Sequence, residues 1–269
     1  RGFLAPGYYF MGSRPGGESI LKQMLTQHES SSGRFGALEG LRSSALDGRI
    51  PSGEVTALGL TALESETDEG NRLLLYEMMV SAGGEDGLGA VEQIVREGTA
   101  GEIAQTVGFL ALKMEPERAL ALFREVLSEQ ELEGEAKQAL YNAMGLVEGE
   151  EGVDFLLSLA RDDEQNEAER LAGLRGLWNR PVDERLAGEL QSVFDSAEDA
   201  ALRTEALRML VYGESEGAGL DLREVASLDD DSSVRAEAVQ LAAMQPADDT
   251  RAWLEQRLLQ DDSIDVKAS

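Results

Sequence analysis

Apolar residues recur three and four positions apart along most of the chain, the spacing that places them on one face of an α-helix. Runs of about a dozen residues with this spacing are separated by short polar or glycine-rich breaks. After an opening helix near 18–29, the pattern predicts helices over 34–46, 53–63, 69–82, 86–97, 102–114, 117–129, 135–147, 151–160, 167–179, 182–194, 201–212, 220–228, 234–244 and 250–260. The chain is therefore predicted to be all-α.

A turn residue lies between the two helices of each predicted pair, and these residues follow a fixed period. Pro and Gly alternate at intervals of 32 or 33 residues, at Pro51, Gly83, Pro116, Gly149, Pro181, Gly213 and Pro246. A period of this size is typical of stacked repeats, in which each helical pair buries its apolar face against the next pair. We therefore expect a right-handed α-solenoid of about seven helix–turn–helix repeats.

Basic residues repeat in the same register, early in the first helix of each pair. The series is Arg72, Lys137, Arg170, Arg203, Arg235 and Lys267, with Gln105 at the intermediate position. Acidic loops precede several of these helices, where acids favour the positive end of the helix dipole. Two interpretations are open: each cation pairs with an acid of its own or a neighbouring repeat and sets the repeat register, or the cations form a charged binding stripe.

Residues 230–241, Asp-Asp-Ser-Ser-Val-Arg-Ala-Glu-Ala-Val-Gln-Leu, resemble a HEAT-like repeat of the short type found in phycobilin-lyase-related proteins. In those repeats an acidic turn leads into Val-Arg, followed by Ala and Leu at helical spacing. Residues 198–210 are similar, and 261–267 begin another copy. The resemblance is clear over 130–269 and weaker over 34–129. It implies a HEAT-like solenoid and says little about function.

The predicted domains are an N-terminal arm with a cap helix over 1–32 and the solenoid over 33–269. The arm is rich in Gly and Pro, and its aromatic residues Tyr8, Tyr9 and Phe10 are expected to pack on the first repeat. Because another repeat begins near residue 261, we expect the solenoid to continue beyond the sequence or to be covered by a partner. The opening residues favour an exported protein over a cytoplasmic one.

Net charge and amino-acid composition disfavour some classes of binding partner and some kinds of chemistry. The formal charge is −28, from 52 acidic and 24 basic residues, which disfavours binding to nucleic-acid phosphates and anionic lipids. Lysine is scarce, and either adaptation to a salty medium or a GC-rich genome would explain this. The chain has no cysteine, which excludes disulfides and thiolate chemistry. No apolar run reaches the ~20 residues of a membrane span.

Candidate chemistry is sparse. The single histidine, His28, can complete neither a catalytic triad nor a two-histidine zinc site. The acidic loops lack the spacing of a calcium loop, and no phosphate-binding glycine motif or nucleophile elbow occurs. Trp178 and Trp253 fall on apolar helical stripes and are expected in the core. No catalytic, metal-binding or cofactor-binding residue is predicted, and no cofactor.

The second helix of each pair is expected to line a concave groove suited to a protein or peptide. The polar residues predicted to lie there and bind a partner are Glu92, Arg96, Arg124, Asp154, Arg161, Glu189, Arg223 and Arg257. Their mixed signs suit a protein partner better than a polyanion. The predicted function is a non-enzymatic protein–protein interaction scaffold or a component of a larger assembly. The alternative is a lyase-related HEAT-like enzyme or cofactor-handling protein that uses acids and arginines of the groove.

Overall fold

The computed structural model describes Arg14 and residues 16–213, 220–244 and 249–269, and within them every regular element is an α-helix. The helices are α1 Gly17–Gln27, α2 Ser31–Leu46, α3 Ser52–Leu63, α4 Glu69–Ala82, α5 Gly84–Glu97, α6 Ala100–Lys113, α7 Pro116–Glu129, α8 Gly134–Leu146, α9 Glu151–Arg161, α10 Glu167–Arg175, α11 Glu184–Ser196, α12 Ala200–Tyr212, α13 Leu222–Leu228, α14 Ser232–Ala243, α15 Thr250–Gln260 and α16 Ile264–Ala268. The all-α prediction is confirmed.

The chain forms two compact units, which divide after Glu148. The first unit contains α1 to α8 and the second contains α9 to α16. Within each unit, most helices pack against the next helix in sequence and against the helix two places along, as α2, α4, α6 and α8 do in the first unit. In the second unit α10, α12, α14 and α16 pack in the same way. This is the arrangement that helical pairs stacked side by side produce.

The apolar stripes supply the core of each unit. Tyr76 and Phe123 are the largest fully buried side chains of the first unit. Leu156, Leu190 and Leu207 are fully buried in the second unit. Each burial of this kind stabilises the folded state by about 1.5–3 kcal/mol, so the stripes supply the main driving force for stacking.

Local signals fix several helix starts. The Thr99 hydroxyl accepts a hydrogen bond from the backbone N–H of Glu102, and the Glu102 carboxylate accepts one from the Thr99 N–H at 2.9 Å. This reciprocal capping box satisfies two donors that the first turn of α6 leaves unpaired. Asn166 caps α10 by accepting from the backbone N–H of Glu169 at 2.9 Å. Pro116 is the first residue of α7, where a missing N–H costs nothing.

The largest boundary difference is at the end of α10, where the apolar spacing predicts a helix to residue 179 and the helix ends at Arg175. Beyond it the backbone tightens into turns, in which the Trp178 N–H donates to the carbonyl of Arg175 at 3.2 Å. Pro181 explains the change, because it has no N–H and disfavours helical backbone in the residue before it. Trp178 therefore leaves the helical stripe.

Glycine allows α4 and α5 to approach closely. A Cβ atom on Gly87 would lie 2.1 Å from the carbonyl oxygen of Met79, whereas a Cβ on Gly89 would meet nothing within 4 Å. Gly149 follows α8 with a φ of 93°, in the region that favours glycine. Pro246 of the turn series and the aromatic residues of the N-terminal arm lie outside the described residues.

Candidate interaction surfaces

The repeating arginines of the first helices bond within the chain. In α14, Nη1 of Arg235 donates to the backbone carbonyls of Asp229 at 2.9 Å and Asp230 at 3.3 Å. Its Nη2 and Nε donate to the buried carboxylate of Asp261 at 3.1 and 3.2 Å. Arg235 thus closes the end of the preceding helix α13 and also holds the acidic loop of the next repeat. Bidentate pairing to a carboxylate is among the stronger polar contacts in proteins.

Arg203 and Arg170 repeat this arrangement one and two repeats upstream. Arg203 donates to the carbonyl of Glu198 at 2.9 Å and to the Asp229 carboxylate at 3.0 Å. Arg170 pairs with Asp199 at 2.9 Å. The contacts of these arginines favour a ladder that sets repeat register over an open binding stripe.

Two arginines of the first unit make the same kind of contact, and one of them, Arg34, does not follow the 32–33-residue period. Arg72 donates to the carbonyl of Leu63 at 3.1 Å and to the Glu102 carboxylate at 2.6 Å. Arg34 makes the equivalent bidentate pair with Glu66, both contacts at 2.7 Å. Arg34 lies 38 residues before Arg72, outside the 32–33 interval, because the two connections of the first pair, 47–51 and 64–68, are longer than those of the next pair.

The polar residues predicted to line the groove pair with one another or with neighbouring helices. In the first unit, Glu92 lies 2.7 Å from Arg96 and 2.5 Å from Arg118. Arg96 also reaches Glu125 on α7 at 2.9 Å, and Arg124 is exposed on the same helix. Burial opposes the charge of Glu92, but hydrogen bonds from Arg118 and Arg96 hold the pKa of its carboxyl below the usual value.

In the second unit, ion pairs join α9 and α11 in the same way. Arg161 of α9 bonds to the carboxylate of Glu189 on α11, and Arg185 of α11 bonds to Asp154 on α9. The partners are 28 and 31 residues apart in sequence, one repeat along the chain. These side chains tie neighbouring second helices together.

Arg223 on α13 and Arg257 on α15 also bond across to the neighbouring second helix. Arg223 makes a bidentate pair with Asp249 at 2.7 and 2.8 Å, and its guanidinium lies 5.4 Å from the ring centre of the partly buried Trp253. Arg257 donates to the carbonyl of Ala226 at 3.2 Å. All eight predicted binding residues therefore have partners inside the chain. Their role in binding stays a prediction.

An exposed row of large side chains lies in the second unit, and we call Trp178, Tyr212 and Met244 the aromatic row. The expectation that Trp178 and Trp253 lie in the core is wrong. Trp253 is only partly buried, in a helix that has no buried residue. Trp178 is 40% exposed, because α10 ends before it and removes it from the buried stripe. The Trp178 and Tyr212 ring centres are 6.1 Å apart with a 46° tilt. The Tyr212 hydroxyl lies 3.8 Å from the Met244 sulfur.

The position of Trp178 is fixed by a buried acid. Its Nε1–H donates to the carboxylate of Glu205 at 2.5 Å, and Arg175 lies 3.6 Å from the other oxygen of that carboxylate. A depression of about 270 Å³ adjoins the ring, and Pro181 and Val182 are among its lining residues. The members of the row are 34 and 32 residues apart, close to the repeat period. This spacing is the sequence signal for the row, whereas the apolar pattern assigns Trp178 to the core.

A second surface of the second unit combines apolar and acidic residues, and we call it the acidic groove. It consists of two depressions of about 410 and 670 Å³ that share Phe194, Asp195, Leu228 and Asp229. The other lining residues are Gln191, Ala197, Glu198, Arg203, Leu220, Asp221, Glu224, Val225, Asp230 and Asp231. The groove follows the end of α11 and the whole length of α13.

Among the described residues, no three His, Cys, Asp or Glu side chains are grouped so that they could hold a metal ion. The described helices also include none with the length and apolar character needed to cross a membrane. A scan against protein-family models and searches of curated proteins and of solved structures find no match to this chain.

Proposed function

We propose that this protein is a non-enzymatic protein–protein interaction module built on HEAT-like repeats, with about seven helical pairs wound as a right-handed solenoid. The stacked pairs, the regular arginine ladder and the sequence Asp-Asp-Ser-Ser-Val-Arg at 230–235 support the repeat type. The lyase-related alternative is less favoured, because the acids and arginines of the second helices pair with each other inside the chain.

The aromatic row is the observation that carries the proposal. Exposed Trp and Tyr side chains are over-represented among the residues that dominate binding energy at protein interfaces. Trp178 is also held in place, since its N–H donates to the buried Glu205 carboxylate. A fixed ring loses little conformational entropy when a partner covers it, and the adjacent depression accepts an apolar side chain. Met244 completes the row with a side chain that adapts to irregular surfaces.

Site-directed photo-crosslinking tests the proposal. A photoreactive amino acid replaces Met244 in the full chain, and in a matched control it replaces Leu112, a residue of the first unit with the same 63% exposure. Both proteins are irradiated in an extract of the native source. We expect a protein adduct from position 244 that disappears when Trp178→Ala is added, and no adduct from position 112.

Two results would overturn the proposal. One is the same set of adducts at positions 244 and 112, which would indicate unspecific contact. The other is an adduct at 244 that survives Trp178→Ala, since the row would then contribute nothing to recognition. Circular dichroism of each variant verifies that the helices are retained.

A further inference from the structure

The acidic groove has an apolar surface of its own, separate from the aromatic row. Leu228, the last residue of α13, is 70% exposed, and the edge of the largely buried Phe194, 9% exposed near the end of α11, lines the same depressions. Burial of an exposed leucine on binding releases about 25 cal/mol for each Å² of apolar surface removed from water. The groove therefore offers a place where an apolar side chain of a partner would be stabilised.

The charge around this apolar surface is strongly one-sided. Seven acids line the two depressions against one cation, Arg203, which already pairs with Asp229. Glu198, Glu224 and Asp230 form no ion pair within the described part of the chain. This surface therefore keeps an excess of negative charge.

One further feature favours a ligand with hydrogen-bond donors. The side-chain oxygen of Gln191 is buried at the groove and accepts no hydrogen bond, while its amide donates to Asp195 at 2.9 Å. The helix ends add no net negative potential, because Arg203 and Arg235 donate to the carbonyls that follow α11 and α13, and the amino ends of α13 and α14 also border the groove.

We propose that the acidic groove binds a basic segment of a partner protein, which inserts an apolar side chain between Phe194 and Leu228 and directs Lys or Arg side chains to the surrounding acids. Charge complementarity selects this occupant. A second copy of this chain does not fit, because the chain has 52 acidic and only 24 basic residues. The N-terminal residues 1–13 do not fit either, since Arg1 is their only basic residue.

Binding of a designed peptide tests the inference. The probe is a fluorescein-labelled peptide of Lys and Leu with Leu at helical spacing, and the control peptide has Glu in place of every Lys. Anisotropy titrations of the full chain are made at about 50 and about 300 mM salt, which span a large change in screening. We expect saturable binding of the Lys peptide that weakens at high salt, and no binding of the Glu peptide.

Variants locate the site. Glu198→Gln with Glu224→Gln, and separately Leu228→Ala, are expected to weaken binding about three- to tenfold, since each lost contact has the size of an exposed ion pair or a partly buried side chain. The charge-matched control, Glu129→Gln with Glu131→Gln in the first unit, is expected to change binding less than about twofold. All the altered side chains are exposed, so the variants keep the fold.

The outcomes separate specific from general attraction. Equal weakening by the groove variants and by the charge-matched control would overturn the inference, because the peptide would then be responding to the net charge of −28 alone. No effect of Leu228→Ala would also overturn it. Trp178→Ala is expected to leave peptide binding unchanged, so this inference and the role of the aromatic row fail independently.

Discussion

Glu66 is a buried carboxylate that holds the start of α4 to the arginine ladder. Its side chain is 2% exposed and receives five hydrogen bonds. Arg34 donates two at 2.7 Å, and the backbone N–H groups of Thr67 and Asp68 donate one each at 2.9 Å. Asn71 donates the fifth at 2.9 Å. Replacement of Glu66 by Gln removes the charge and keeps the shape.

The pKa of Glu66 sets the size of the expected effect. Burial alone would raise this pKa, but hydrogen bonds from Arg34, from the Asp68 backbone and from Asn71 lower it from 4.5 to about 2. Since one pKa unit corresponds to about 1.4 kcal/mol, the ionised group stabilises the folded state by about 3 kcal/mol at pH 7. A lowered folded pKa means that this stabilisation is complete above the unfolded pKa and is lost as the pH falls from about 4.5 towards 2. At pH 3.5 about 2 kcal/mol remains.

Urea unfolding followed by far-UV circular dichroism measures the effect. We expect Glu66→Gln to lower the free energy of unfolding by about 3 kcal/mol at pH 7 and by about 2 kcal/mol at pH 3.5. Glu64→Gln, the same change at an exposed neighbouring acid, should cost less than about 0.5 kcal/mol. Hydrogen exchange of the peptide covering 62–72 localises the loss. A penalty for Glu66→Gln that does not depend on pH, or an equal penalty for Glu64→Gln, would refute the reasoning.

Two further pairs of variants test packing and the ladder. Gly87→Ala should destabilise the protein by about 1–3 kcal/mol in thermal unfolding, because its methyl group has no space, whereas Gly89→Ala in the same helix should stabilise it by about 0.5–1 kcal/mol; changes of the same sign would contradict the packing of α4 on α5. Arg235→Met should cost about 3 kcal/mol, because the buried carboxylate of Asp261 loses its bidentate partner and keeps only Arg257 at 3.9 Å, and the exposed Arg251→Met should cost at most about 0.5 kcal/mol. A loss for Arg235→Met as small as that expected for Arg251→Met, at most about 0.5 kcal/mol, would mean that the ladder contributes little to stability.

The helices were largely predictable because their signals are local. The predicted helix over 69–82 has the same bounds in the structure as α4, and the capping box joins Thr99 and Glu102, which are only three residues apart. Apolar spacing, caps and turn residues act within about four or five residues, which a single sequence displays directly. Trp178 shows where this reasoning fails, since Pro181 ends the helix early and turns an apparent core residue outward.

The pairing of charges was predictable only in outline. The sequence indicates that the arginines of the first helices recur with the repeat, yet it does not indicate which of 52 acids each one meets. Arg96 reaches Glu125 and Arg161 reaches Glu189, partners 29 and 28 residues away, because second helices of successive pairs lie side by side. This separation exceeds the range of any local rule, so the stacking decides it.

By itself, the amino-acid sequence determined that the chain is helical, where most helices begin and end, and that they recur in pairs. Only the tertiary structure decided that the arginines of the second helices are already paired and that Trp178 is exposed beside Tyr212. It also decided that acidic residues surround Leu228. The physical reason is the distance along the sequence over which the residues interact. Helix formation depends on neighbours within one turn, whereas a surface is made by side chains about one repeat apart that only packing brings together.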